Sequence, residues 1–193
     1  ERRRTEGMPR KDTHSSGVGG CAGAASEISA IDVDGPDHAA RHFFLSPGKG
    51  SGPWGRGGIV KSPFGWLAQT ADGAYDPAGG RWGMTLIHMS DDNAVIDSFT
   101  MPDWYTLNAR DHDYGSSSPV VFEFGGRALV ATSSKSGIIY LSDALNLGGR
   151  NHQTTLYTSP RFSNDADATV IYDQKFKKTE FFAELKKNLS GGK

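Results

Sequence analysis

The chain has 193 residues, a formal net charge of −1 and a hydrophobic share of 36%, with 25 glycines and nine prolines. That charge offers no basic excess to neutralise phosphates, which argues against nucleic acid as a partner of the whole chain, and no run approaches the ~18 apolar residues of a membrane span. The single cysteine, Cys21, excludes an internal disulfide and any zinc site built from several thiolates.

So many turn-formers favour short strands and tight connections over long helices, which predicts an all-β fold. Glu1-Arg-Arg-Arg has the basic character of an export signal, but the polar Thr13–Gly17 stands where an apolar segment should follow, so no signal peptide is visible. Residues 1–25 are charged, then rich in Gly, Ala and Ser without a period, and read as a disordered or loosely packed lead-in. Ile28–Val33 alternates at period two and runs into Asp34-Gly35-Pro36, a strong turn. His38–Leu45 is the next strand, ended by Ser46-Pro47-Gly48, and a glycine-rich loop holding Trp54 follows.

Ile59-Val60 and Trp66–Thr70 are strands split by Ser62-Pro63-Phe64-Gly65, and Asp72-Gly73 and Asp76–Gly80 are turns. Met84–Met89 and Ala94–Phe99 flank Asp91-Asp92-Asn93, a hairpin signal. Met101–Asn108 is an aromatic connection. Asp111-His-Asp-Tyr-Gly-Ser-Ser-Ser-Pro119 leads into Val120–Phe124, then Gly125-Gly126-Arg127, then Ala128–Thr132. Lys135 opens the turn before the strand ending at Asp143, and Thr154–Thr158 closes that unit. The hairpins Ile28–Leu45, Met84–Phe99 and Ile138–Thr158 overlay at a spacing of roughly 55 residues, and a more apolar strand pair precedes each but the first. This predicts about two and a half four-stranded antiparallel units, a partial β-propeller over residues 26–162. In the C-terminal extension, 163–193, Phe181, Phe182, Leu185 and Leu189 fall on one helical face, with Lys186 and Lys187 near its end, which predicts a short terminal helix.

Four segments carry a family resemblance: Gly50–Gly55, Ala71–Asp76, Asp111–Pro119 and Lys135–Leu141. The last resembles the Lys-x-Gly-x-x-Tyr-x-x-Asp motif of the quinoprotein-like β-propellers, the repeat family that includes pyrroloquinoline-quinone dehydrogenases, with Asp143 at its final position. The resemblance implies a planar quinone lying over a tryptophan, a calcium or lanthanide ion held by oxygen ligands, and an aspartate acting as general base on an alcohol. It makes Asp111 and Asp113 the catalytic and metal-ligating candidates, and Lys135 and Trp54 the cofactor-binding candidates. It also implies a periplasmic or secreted location.

Each candidate also has an ordinary structural reading. An Asp-x-Asp pair at a turn accepts backbone N–H bonds, a lysine opening a strand is solvated, and tryptophans wedge between neighbouring sheets. Ser116–Ser118 lacks the context of a nucleophile elbow, and Gly48–Gly52 lacks the spacing of a phosphate loop. Two functions are expected from this. One is an incomplete or non-catalytic scaffold that associates with further blades or with itself. The other is a fragment of a pyrroloquinoline-quinone-dependent alcohol dehydrogenase, completed by another segment or subunit. The scaffold ranks first, because catalysis needs an enclosed pocket and under three blades enclose no axis. Trp104 and Tyr105 offer a third expectation, an aromatic surface for carbohydrate or peptide.

Overall fold

The computed structural model describes residues 11–16 and 25–161 of the chain. These form an all-β arrangement of three consecutive antiparallel sheets and one short ribbon. The first sheet holds β1 (Lys11–Ser16), β2 (Ala25–Asp32) and β3 (Ala40–Lys49), in that order. β1 lies inside the stretch whose composition suggests a loose lead-in. Its residues pair one-to-one with β2, from Lys11 opposite Asp32 to Ser16 opposite Glu27, so that expectation does not extend to 11–16. The expected terminal helix lies outside the described residues.

The second sheet is formed by β4 (Val60–Ser62), β5 (Gly65–Gln69), β8 (Thr85–Met89) and β9 (Val95–Thr100). Between β5 and β8 the chain leaves the sheet to make a ribbon of β6 (Tyr75–Asp76) and β7 (Arg81–Trp82). The third sheet is β10 (Val120–Phe124), β11 (Arg127–Ser133), β12 (Ile139–Asp143) and β13 (Tyr157–Thr158). The strand pairs expected from the hairpin signals are all present: β2 with β3, β8 with β9, and β12 with β13. The β10–β11 turn places Gly125 and Gly126 at φ +60° and +76°. Two successive left-handed residues twist the chain as the flanking strands twist, and glycine adopts that backbone without a steric penalty.

The sequence analysis treats Met101–Asn108 as an irregular connection, but Trp104–Ala109 is a helix, α1. Its N-cap residue Asp103 makes no side-chain capping bond, so the usual start signal is missing. The helix is held by packing instead. Leu107 is buried in the cluster that joins the second and third sheets, with Leu67, Leu86, Phe99, Tyr114, Val130 and Tyr140.

The tyrosine at the centre of that cluster is fully buried. Tyr114 Oη donates to Thr132 Oγ1 at 2.6 Å, and its ring meets Phe99 and Tyr140 edge-on. A second cluster, Ile28, Leu45, Ala68, Ile87 and Met89, joins the first sheet to the second. The second sheet is thus apolar on both sides, which is why every residue of β8 is buried. The alternating burial of β2, with Ser26, Ile28 and Ala30 inside, marks a strand covered on one face.

Candidate functional site

The loops that join these strands bring distant aspartates together at one place. Trp54 sits in the β3–β4 loop and is 41% exposed. That loop is fastened at two points. Gly57 N–H donates to Ser118 Oγ at 2.8 Å, and Ser51 N–H donates to the carbonyl of Asp72 at 2.5 Å. A Cβ on Gly55 would lie 2.2 Å from the carbonyl oxygen of Ser117, so only glycine lets the loop press against the lead-in to β10.

Asp72 opens the excursion between β5 and β6. The next residue is clamped by α1, because Gly73 N–H donates to Asn108 Oδ1 at 2.8 Å. The chain then leaves α1 through Asp111, in the left-handed region at φ +57°, and His112 N–H donates back to the carbonyl of Leu107 at 2.9 Å. This reversal brings Asp111 and Asp113 back towards Asp72. Lys135 enters from the β11–β12 turn, and its backbone N–H donates to the carbonyl of Asp113 at 3.1 Å.

The side chains converge as the backbones do. Lys135 Nζ lies 2.9 Å from Asp113 Oδ2, 3.4 Å from Asp111 Oδ2 and 5.4 Å from the centre of the Trp54 ring. The last distance is within cation–π range. One carboxylate oxygen from each of Asp72, Asp111 and Asp113 lies within 4.8 Å of the other two. Burial is graded: the Asp113 side chain is 8% exposed, Lys135 17% and Asp111 75%.

The electrostatics follow from this crowding. Burial raises Asp72, a hydrogen bond to Asp113 and the charges of Asp113 and Asp111 raise it further, and Lys135 only partly offsets them; its pKa is pushed up to about 8. Burial by itself would lower Lys135. The hydrogen bond to Asp113 and the charges of Asp113 and Asp111 outweigh that and raise it, so it stays a cation. Two carboxyls this close repel when both are ionised and bond when they share a proton. Among the described residues, no N–H or O–H donor other than that shared proton reaches Asp72 Oδ1 or Asp113 Oδ1, both buried.

The four residues singled out from the sequence, Trp54, Asp111, Asp113 and Lys135, therefore share one site. Among the described residues no backbone N–H donates to the Asp111 or Asp113 carboxylates, and Lys135 is mostly buried rather than solvated. The other tryptophans lie elsewhere. Trp82 packs against Phe43 between the first two sheets, Trp66 lies under Lys61 Nζ, and Trp104 meets Tyr75 and Tyr105 edge-on. Those edge-on rings do not form a flat stacking surface.

Sequence reasoning missed Asp72 and Asn108. Asp72 is followed by glycine and reads as half of a turn; its only other signal is its place in one of the segments that carry the family resemblance. The three carboxylates offer hard oxygen donors of the kind that hold calcium. Trp54 offers a partly open aromatic face. Among the described residues no helix is long and apolar enough to cross a membrane. Neither a scan against protein-family models nor a search of curated proteins returns a match to this chain.

Proposed function

We propose that the chain is a quinoprotein-like propeller module that works as a binding and assembly scaffold. The observation that carries this reading is the succession of antiparallel sheets, each covering the apolar face of the next through the two clusters around Leu67 and Ile28. In such a stack the end sheets are natural sites for further blades or a second copy of the chain.

A second reading, a fragment of a pyrroloquinoline-quinone-dependent alcohol dehydrogenase, is favoured by the convergence of Trp54, Lys135, Asp111 and Asp113. The residues present fit the group: a partly open tryptophan face, an ammonium beside it and carboxylate oxygens close to both. A quinone held there supplies a hydride acceptor. Trp54 would lie against its ring, Lys135 would face its oxygens, and Asp111 or Asp113 would take the alcohol proton. The scaffold reading stays first because Lys135 already spends its charge on Asp113 and Asp111.

Two measurements separate these readings. Light scattering across a concentration series is expected to give self-association. A monodisperse monomer with a sharp cooperative melt would contradict the assembly role. Titration with pyrroloquinoline quinone and calcium is expected to give no alcohol-dependent dye reduction. Turnover that is lost in Asp113→Ala would move the assignment to the dehydrogenase.

A further inference from the structure

We propose that the outer face of the third sheet is the docking site of the chain's own C-terminal segment, residues 179–189, which lies across it as an amphipathic helix. The inference rests on the stacked-sheet reading above but not on self-association. It closes one end of the stack and leaves the first sheet as the end open to a partner.

Residues opposite one another in an antiparallel pair share a face, so the register gives the third sheet two distinct sides. Val121, Ala128, Val130 and Tyr140 turn inward, to the cluster around Leu67. Phe122, Phe124, Leu129, Ala131, Leu141 and Tyr157 turn the other way and form a cluster of their own. Leu129 and Leu141 are 0% exposed and Ala131 4%. Among the described residues, the hydrophobic side chains packed with them all belong to the same sheet. A single layer cannot hide its own face from water, so complete burial there calls for a second layer. The first sheet supplies the contrast. On the side turned away from its own cluster with Ala68 and Ile87, Phe44 is 55% exposed and Ile31 37%.

The chain carries a cover of matching size and chemistry. It leaves the third sheet through the edge strand β13, and the last described residue, Arg161, follows three positions later. Residues 162–178 then give a connection of ~17 residues, which reaches roughly 55 Å when extended. Four strands about 4.8 Å apart span only about 15 Å, so the whole face lies within reach. As a helix, residues 179–189 are ~16 Å long, close to the width of the sheet. Phe181, Phe182, Leu185 and Leu189 share one side of that helix, and Lys187 lies on the opposite side. The sheet face suits the apolar stripe, because its charges, the paired Arg127 and Asp143, sit at one end of it. A second copy of the chain or a further blade on this face would leave the stripe in water.

The test is photocrosslinking in the full chain carrying Phe182→p-benzoylphenylalanine, as a mixture of unlabelled and heavy-isotope-labelled protein. Irradiation is expected to join this residue to peptides holding Phe122, Phe124, Leu129 or Leu141, with the same label at both ends of each adduct. Adding Leu185→Asp should cut the adduct at least ~10-fold, because a charge then stands where a leucine was buried. Lys187→Ala, on the opposite side of the helix, should leave it unchanged. Hydroxyl-radical oxidation gives a second readout: Leu185→Asp should raise it several-fold at Phe122 and Phe124 and leave Phe99, in the inner cluster, protected. Adducts whose ends carry different labels overturn the proposal in favour of a second copy. Adducts only on the first sheet, no adduct on the third, or an adduct that Leu185→Asp leaves intact overturn it as well. An adduct within one chain forms equally in a monomer and in an assembly, so this test and the light-scattering test of the scaffold fail separately.

Discussion

The two ends of the β11–β12 hairpin treat charge in opposite ways. At the open end Arg127 and Asp143 form a one-to-one pair, with Nε at 3.2 Å and Nη2 at 2.8 Å from the same carboxylate oxygen. The arginine side chain is 49% exposed there, so water shares the work. At the turn end Lys135 is one cation among three carboxylates, and it and Asp113 are largely withdrawn from water. The first arrangement is complete as it stands. The second has more acceptors than donors, and that mismatch, rather than the presence of ion pairs, separates a site from a surface.

Removing the cation at each end should give the largest contrast. Lys135→Met leaves buried carboxylates facing one another and should cost about 3 kcal/mol in urea unfolding. A cost no greater than that of a surface pair would erase the distinction.

Next in size is a pH effect confined to the turn end. Asp72 binds its proton up to about 8 in the folded chain and releases it near the ordinary carboxylate value of 3.8 when unfolded. Between those values the folded state holds the extra proton, so stability must fall as pH rises through the window and level off above it. Unfolding free energies measured at steps from pH 4 to pH 9, without divalent cations, should trace that slope. Asp72→Asn should flatten it. A slope that persists in the variant would assign the proton elsewhere.

Salt should separate the ends more gently. Raising the ionic strength to about 1 M shortens the screening length to roughly 3 Å, which weakens exposed pairs and spares buried ones. The cost of Arg127→Met should shrink in salt while that of Lys135→Met should persist. The smallest effect is Arg127→Met itself, about 0.5 kcal/mol at low salt.

The hairpins were legible because their signals are local. Gly125-Gly126 announces a two-residue turn, and Asp91-Asp92-Asn93 marks the reversal between β8 and β9. The ribbon β6–β7 was not legible, since strands of two residues have no period to detect. Helix α1 was hidden because six residues without a capping bond look like any aromatic loop, and burial of Leu107 decides the matter. At the site, Asp111, Asp113, Lys135 and Trp54 stood out by motif. Asp72 did not, because what makes it part of the cluster is a tertiary meeting of two loops. Asp-Gly in sequence says turn, and nothing adjacent says which neighbours the carboxyl will meet.

The ribbon between β5 and β8 carries one more consequence. Its base is zipped shut by Thr70 N–H to the carbonyl of Thr85, Met84 N–H to that of Ala71 and Gly83 N–H to that of Ala74, at 2.8, 2.9 and 2.9 Å. The second sheet therefore closes below the detour, whatever lies beyond it. Lengthening a connection whose ends are already joined costs little chain entropy, so the tip at Pro77–Gly79, whose residues are exposed, is a natural place for added sequence. A reporter group or a whole inserted domain grafted there would hang from the protein as a pendant, leaving the ladder beneath it and the aspartate at its root undisturbed.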